Sequence, residues 1–276
     1  MPSGAWSDSP ADCPAMPPKS RSIRTQAIIL SRRDFGEADR LLTLLTPAHG
    51  KLRAIAKGAR KPNAKLSGHV ELFARSDCLL RQGRNLAILT QAELIEPYLG
   101  LRDDLQRGAY ASYAAELLDR FTADDEEAAG GLFALLDDTL ARIANSHDPR
   151  LATRFYELAL LDLVGFKPEL SECVITRQPL LPEAQFFSSD EGGVVSRAGL
   201  ARSRSYTLPI ELDTLKLLRH LQRNAVNYAD VESLRLSADE HGRAERLMLA
   251  YIAHLLEGRL ASAAFLAGLR SEDGRK

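Results

Sequence analysis

Residues 21–96 alternate apolar and polar positions in short runs. Ile23, Thr25, Ala27 and Ile29 are interleaved with Arg24 and Gln26, the period of two that a half-buried strand requires. Gly36-Glu37-Ala38-Asp39 reads as a turn, Leu41 to Thr46 as a short apolar strand, and Pro47-Ala48-His49-Gly50 as a second turn. Lys51 to Lys57 follows as a third strand. Arg75 to Arg81 and Leu86 to Ala92, joined through Gln82-Gly83-Arg84-Asn85, read as a hairpin. About five short strands within ~75 residues predict a small closed barrel, because closure leaves no exposed strand edge.

Near Pro97 the period changes to that of a helix. Tyr110, Tyr113, Ala114, Leu117, Leu118 and Phe121 form one stripe; Leu132, Leu135, Leu136 and Leu140 form a second. Leu151, Phe155, Leu158 and Leu161 form a third, ended by Gly165. Leu212, Leu215, Leu218 and Leu221 form a fourth, and Arg246 to Leu256 is a last, mostly apolar helix. Such stripes are core faces. Residues 171–205, with Pro179, Pro182, Gly192, Gly193 and Val194-Val195, interrupt the pattern and read as an inserted lobe. The expected organisation is α+β: a barrel domain over 21–97, then an all-helical domain over 98–268 carrying the lobe. A disordered extension over 1–20 and a disordered tail over 269–276 flank it. The extension contains five prolines and no apolar core, so it is not a secretion signal.

Composition excludes some classes. At 276 residues, 45% hydrophobic and 26% charged, the chain has the balance of a globular protein, and no apolar run reaches a membrane span. The three cysteines, Cys13, Cys78 and Cys173, are far apart and odd in number, which points to a reducing cytoplasm rather than a disulfide framework. Net charge is −1, yet from Arg40 to Val70 there is no Asp or Glu. That stretch holds Arg40, Lys51, Arg53, Lys57, Arg60, Lys61 and Lys65, and the compensating acids lie elsewhere, as in Asp124-Asp125-Glu126-Glu127. Strand parity puts Lys51, Arg53 and Lys57 on one face with Ile55, and Leu52, Ala54 and Ala56 on the interior face. The basic loop 57–65 leaves that strand. These seven cations are the expected DNA- or RNA-binding residues, on a surface of the kind OB-folds present to single strands; a solvated charged loop is the competing reading. Phe35 and Phe73 are the only aromatics in the barrel, so binding should rest on phosphates and be indifferent to sequence. Neutralising about 4–6 phosphates implies a slope of log K against log salt of about −3 to −5.

Three segments resemble the RecO family of recombination mediators: the run Arg33-Asp34-Phe35-Gly36-Glu37-Ala38-Asp39-Arg40-Leu41-Leu42, then Thr46-Pro47-Ala48-His49-Gly50-Lys51, then Ala56-Lys57-Gly58-Ala59-Arg60-Lys61-Pro62. A fourth lies in Tyr251-Ile252-Ala253-His254-Leu255-Leu256-Glu257-Gly258-Arg259. The resemblance implies a five-stranded OB-fold barrel, a helical domain and a small zinc-ribbon-like lobe. It also implies a cytoplasmic, nucleoid-associated role in DNA damage repair and recombination: annealing complementary strands, engaging the acidic tail of single-stranded DNA-binding protein (SSB), and joining RecR to load RecA. Single- and double-stranded DNA, RecR, SSB and, indirectly, RecA are the partners it implies.

Many members of the family carry two Cys-x-x-Cys pairs in the lobe. The corresponding positions are Cys173, Thr176, Ser196 and Gly199. Structural zinc needs four thiolate or imidazole ligands, and hydroxyls do not ionise near pH 7. No zinc and no other cofactor is therefore expected. Val174, Ile175, Leu180, Leu181, Phe186, Phe187, Val194, Val195 and Leu200 are the candidates to hold the lobe by packing.

No phosphate loop, nucleophile elbow, zinc-protease or dinucleotide motif is present. Asp103-Asp104 and Asp137-Asp138 fall on helices, where neighbours diverge by about 100°, so helix-terminal charge and a solvated face are expected of them. His49 and His69 are expected as phosphate or turn partners. A non-enzymatic annealing protein is the leading expectation. An RNA-binding OB-fold protein and a protein-binding adaptor are the alternatives.

Overall fold

The computed structural model describes residues 22–62, 64–83, 86–124, 130–225 and 227–273. The expected extension over 1–20, the hairpin turn at Arg84-Asn85 and most of the acidic run after Asp124 lie outside the described residues.

The first half is a closed barrel of five strands: β1 (Ser22–Phe35), β2 (Asp39–Thr46), β3 (Gly50–Ala56), β4 (Arg75–Arg81) and β5 (Ala87–Glu96). Their order around the barrel is β1-β2-β3-β5-β4, with β3 and β5 parallel and the other pairs antiparallel, which is the OB-fold arrangement. β1 closes it. Its first part pairs with β4 and its second with β2, and a register shift between Ile29 and Ser31 bends the strand at the handover. Ala27, Ile29, Leu42, Leu44, Ala54, Ala56, Cys78, Leu80 and Leu89 fill the interior. Ile28, Leu30 and Leu45 point outward and are buried as well, against the helices. The uninterrupted run Ala27-Ile28-Ile29-Leu30 follows from this, because that part of β1 has protein on both faces.

The second half packs six longer helices: α2 (Leu105–Phe121), α3 (Gly130–Asn145), α4 (Pro149–Leu163), α6 (Leu212–Arg223), α8 (Ala238–Leu255) and α9 (Ala261–Asp273). Short helices α1 (Gly100–Asp103), α5 (Arg197–Leu200) and α7 (Ala229–Glu232) lie among them. Asp104, Asp148 and Ser237 cap α2, α4 and α8, the last in a capping box with Glu240. α4 is the hub: every residue from Leu151 to Leu161 is buried. Within it Arg154 Nη2 lies 2.7 Å from Glu157 Oε1, and Tyr113 donates its hydroxyl to the same oxygen at 2.5 Å. Helix α9 follows the one expected to be last and continues to Asp273, so the expected tail beginning at 269 starts inside a helix.

The lobe contains the three-stranded antiparallel sheet β7-β6-β8, from β6 (Gln185–Ser188), β7 (Gly193–Val195) and β8 (Leu208–Ile210). The third strand carries the lobe past the expected limit at 205. The sheet is not a separate unit: Phe187, Val194 and Ile210 belong to the helical core, and Phe187 meets Tyr251 edge-on with ring centroids 5.3 Å apart. Among the residues expected to hold the lobe, Phe187, Val194 and Val195 are buried. Leu181 is 65% exposed and does not contribute.

Candidate nucleic-acid interface

The loop after β3 is anchored to the turn between β1 and β2. Ala59 is fully buried in the barrel core. Gly58, with φ of 67°, donates its N–H to Asp39 Oδ1 at 2.7 Å, and the Arg60 N–H reaches the Ala38 carbonyl at 2.9 Å. Arg60 adds side-chain bonds to the Gly36 and Glu37 carbonyls and an ion pair to Asp34 at 3.3 Å. Lys57 and Lys61 therefore project from a fixed stretch of backbone rather than a loose one. Both are exposed and, like the exposed Lys65, have no ion pair among the described residues.

The parity expected for β3 is present: Ala54 and Ala56 face the interior with Leu52 packed beside them, and Arg53 and Lys57 face out. Position 51 also faces out, but into protein. Lys51 is only 7% exposed. Its ammonium group donates to the Asp119 and Thr122 carbonyls at the end of α2, each at 2.8 Å, and lies 3.0 Å from Asp119 Oδ1 and 3.5 Å from Asp124 Oδ1. Lys51 is thus a tie between barrel and helices, and the helix end covers it from solvent. Arg40 is drawn inward to Glu71, 3.5 Å away, and Arg53, though 61% exposed, meets Asp124 at 3.0 Å. Four of the seven expected cations, Arg40, Lys51, Arg53 and Arg60, are compensated by acids from outside their own stretch of sequence.

Lys65 stands over a different surface. With Arg24, His69, Asp77, Gln91 and Glu93 it lines a cleft of about 410 Å³ on the outer side of β1, β4 and β5. Arg24 is neutralised there by Asp77 at 2.8 Å. The exposed Arg33, near the end of β1, and Arg81, at the end of β4, are further cations with no ion pair among the described residues. Residue type did not distinguish them from Arg24 or Arg32; only the absence of a facing acid does. Phe35 is 50% exposed beside the anchored loop, whereas Phe73 packs against the helical core, so one ring and not two is open for stacking.

Most of the other polar residues expected to matter have structural partners. The backbone N–H of His49 closes its turn on Thr46 Oγ1, and His69 Nδ1 accepts from the Leu94 N–H at 3.1 Å. Asp104 caps α2, as helix-terminal charge would. Asp137 is not on a solvated face: it takes Arg75 of β4 at 2.9 Å and the Tyr98 hydroxyl, a second link between the halves. Its neighbour Asp138 pairs with Arg142 instead, so the two carboxylates do not share a ligand.

In the lobe the four positions that correspond to metal ligands do converge. Cys173 Sγ accepts the N–H groups of Ser196 at 3.2 Å and Thr176 at 3.4 Å. Burial pushes this thiol up, but hydrogen bonds from Ser196 and Thr176 outweigh that and lower it to about 6. A Cβ at position 199 would stand 2.7 Å from Sγ, so only glycine closes against the sulfur. Zinc does not fit this set. Hydroxyls replace two thiolates and a hydrogen a third, and no group of three His, Cys, Asp or Glu suited to a metal occurs among the described residues.

Residues 20–98 match the family described as "Recombination protein O N terminal", and residues 102–264 match "Recombination protein O C terminal". The chain is similar to proteins named "DNA repair protein RecO". One from Roseiflexus sp. (strain RS-1) is 40% identical over 254 residues, covering 91% of this chain and 87% of the relative. One from Dehalococcoides mccartyi (strain ATCC BAA-2266 / KCTC 15142 / 195) is 35% identical over 239 residues, 87% and 92% of the two chains. A third, from Pelotomaculum thermopropionicum, is 36% identical over 245 residues, 88% and 93%.

Proposed function

The chain belongs to the RecO family of DNA repair proteins, and on that premise we propose that it is a non-enzymatic DNA-binding protein that anneals complementary strands. In the same reading it cooperates with RecR and the SSB tail to load RecA on single-stranded DNA in the cytoplasm. The observation that carries the proposal is the anchored loop at the barrel end, where Lys57 and Lys61, without an ion pair among the described residues, project from backbone fixed by Gly58, Ala59 and Arg60. Fixed cations draw polyanionic strands together by releasing their counterions, and no bond-making residue is needed. The cation count is small, the stacking platform is the single ring of Phe35, and Asp34 and Asp39 beside the loop are already engaged. This favours backbone contact over base readout. No helix among the described residues is long and apolar enough to cross a membrane.

The test is annealing of complementary oligonucleotides without ATP by wild type and by Lys57→Glu/Lys61→Glu, with Arg60 kept because it ties the loop down. Annealing should fall at least tenfold in the variant. Undiminished annealing would overturn the assignment. Binding of structured RNA in preference to single-stranded DNA would support the RNA-binding reading instead.

A further inference from the structure

The helical half carries a second set of converging donors. Arg219 and Arg223 sit one turn apart on α6 and, with Gln222 and Ser171, line a cleft of about 200 Å³ where the chain entering the lobe crosses that helix. The i,i+4 spacing puts both guanidinium groups on one face. Arg219 is held in place: its Nε donates to the Leu170 carbonyl at 2.6 Å, and Gln222 Nε2 donates to the Pro168 carbonyl at 2.8 Å. Its Nη2 is buried and has no hydrogen-bond partner among the described residues. Neither arginine has a carboxylate within ion-pair distance among those residues. Burial and the like charge of Arg223 both press Arg219 below its ordinary range, and Glu169 only partly offsets them.

Buried donors left unpaired are rare, because each costs the free energy of its lost hydration. A bound oxyanion would relieve the repulsion between the two arginines, and a small turn of the Arg219 guanidinium would bring the buried Nη2 to it. The cleft is smaller than the roughly 300–1,000 Å³ that drug-sized ligands occupy, so it suits a single oxyanion group. Two guanidinium groups from α6 and Ser171 from a second chain segment line it, which matches a tetrahedral phosphate better than one planar carboxylate.

We propose that the Arg219–Arg223 cleft binds one backbone phosphate of a nucleic-acid strand, as a contact separate from the barrel loop. It rests on the nucleic-acid-binding reading above. α6 packs on α4 and α8, whereas the barrel meets α2 and α3, so the two contacts lie on different parts of the fold.

The experiment is anisotropy titration of a labelled single-stranded oligonucleotide over a series of salt concentrations. It compares full-length wild type, Arg223→Gln and Arg219→Gln/Arg223→Gln, each checked by circular-dichroism melting. Arg223 is exposed, so its single variant keeps the fold even if Arg219→Gln loosens the Leu170 contact. The salt slope should become shallower by about 0.7, the value for one phosphate on a single strand. A wild-type slope in Arg223→Gln and in the folded double variant would overturn the cleft while leaving the barrel reading intact. No oligonucleotide binding by wild type would overturn both. Binding of a glutamate-rich peptide that is lost in Arg223→Gln, with the DNA slope unchanged, would assign the cleft to protein carboxylates and overturn the phosphate proposal.

Discussion

Lys51 and Asp119 join the barrel to the helical half through two contacts at once: the ammonium group lies 2.8 Å from the Asp119 carbonyl and 3.0 Å from its carboxylate. The lysine comes from β3, and the acceptors are at the C-terminal end of α2, where unpaired carbonyls and the helix dipole both favour a cation. A residue that reads as a phosphate contact is therefore part of the frame that orients the loop proposed to carry the phosphate contacts.

Lys51→Met should lower stability by roughly 2–3 kcal/mol, because it leaves charged and carbonyl acceptors without their donor. The change is read as the shift in urea midpoint. DNA affinity of the folded variant should stay within about twofold of wild type. Lys57→Ala should do the reverse, moving stability by less than about 0.5 kcal/mol, as expected of an exposed site, while weakening DNA binding.

Part of the barrel's salt dependence follows from its three loop lysines, which have no ion pair among the described residues. Lys57, Lys61 and Lys65 together should supply a slope of about −2 on single strands and about −3 on duplex. Lys57→Ala/Lys61→Ala/Lys65→Ala should remove that much, whereas Arg53→Ala, whose partner is Asp124, should remove much less. Equal losses for Arg53 and the lysines would show that ion pairing in the free protein does not decide which cations meet DNA.

The lobe should be indifferent to chelators. Melting temperature with and without EDTA should agree within a degree, and purified protein should carry no stoichiometric zinc. Gly199→Ala should cost about 1–3 kcal/mol, since its methyl would stand 2.7 Å from Cys173 Sγ in a packed site. A chelator-sensitive melt would show that a metal is held there after all.

Glu157 makes one component of stability depend on pH. Burial pushes its carboxyl up to about 7, and Arg154 and the Tyr113 hydroxyl pull it back only in part. The folded state thus holds this proton to higher pH than the unfolded state, whose value is 4.5. Where the folded state binds more protons, stability falls as pH rises. The contribution is therefore full below about pH 4.5, declines as pH rises toward about 7, and is flat above. Relative to wild type, Glu157→Gln should become more stable by roughly 1–3 kcal/mol between pH 4.5 and pH 7.5. Denaturant unfolding at four or five pH values checks it; a difference that is constant with pH would refute it.

Reading the chain alone went furthest where local pattern and burial coincide. The alternation through Ile23, Thr25, Ala27 and Ile29 identified β1, and the parity of Leu52, Ala54 and Ala56 identified the inner face of β3. Spacing in Leu151, Phe155, Leu158 and Leu161 found α4, although not that it is buried on every side. α8 begins at Ala238, eight residues ahead of the expected Arg246, because its first turns are polar. The capping box Ser237-x-x-Glu240 was the available signal.

Sequence by itself determined the five barrel strands, the stripes of α2, α3, α4 and α6, the barrel-then-helix order and the basic stretch without acids. Each depends only on residue type and spacing. Tertiary structure alone decided which cations remain free, because an acid can neutralise a lysine from any distance along the chain: Asp119 lies far beyond Lys51, and Glu71 beyond Arg40. It also decided that Arg219 and Arg223 face a cleft with Ser171, since convergence from separate segments leaves no periodic trace. Charge acts through space and falls off with distance, so the partners of a charge are set by the fold and not by its neighbours in sequence.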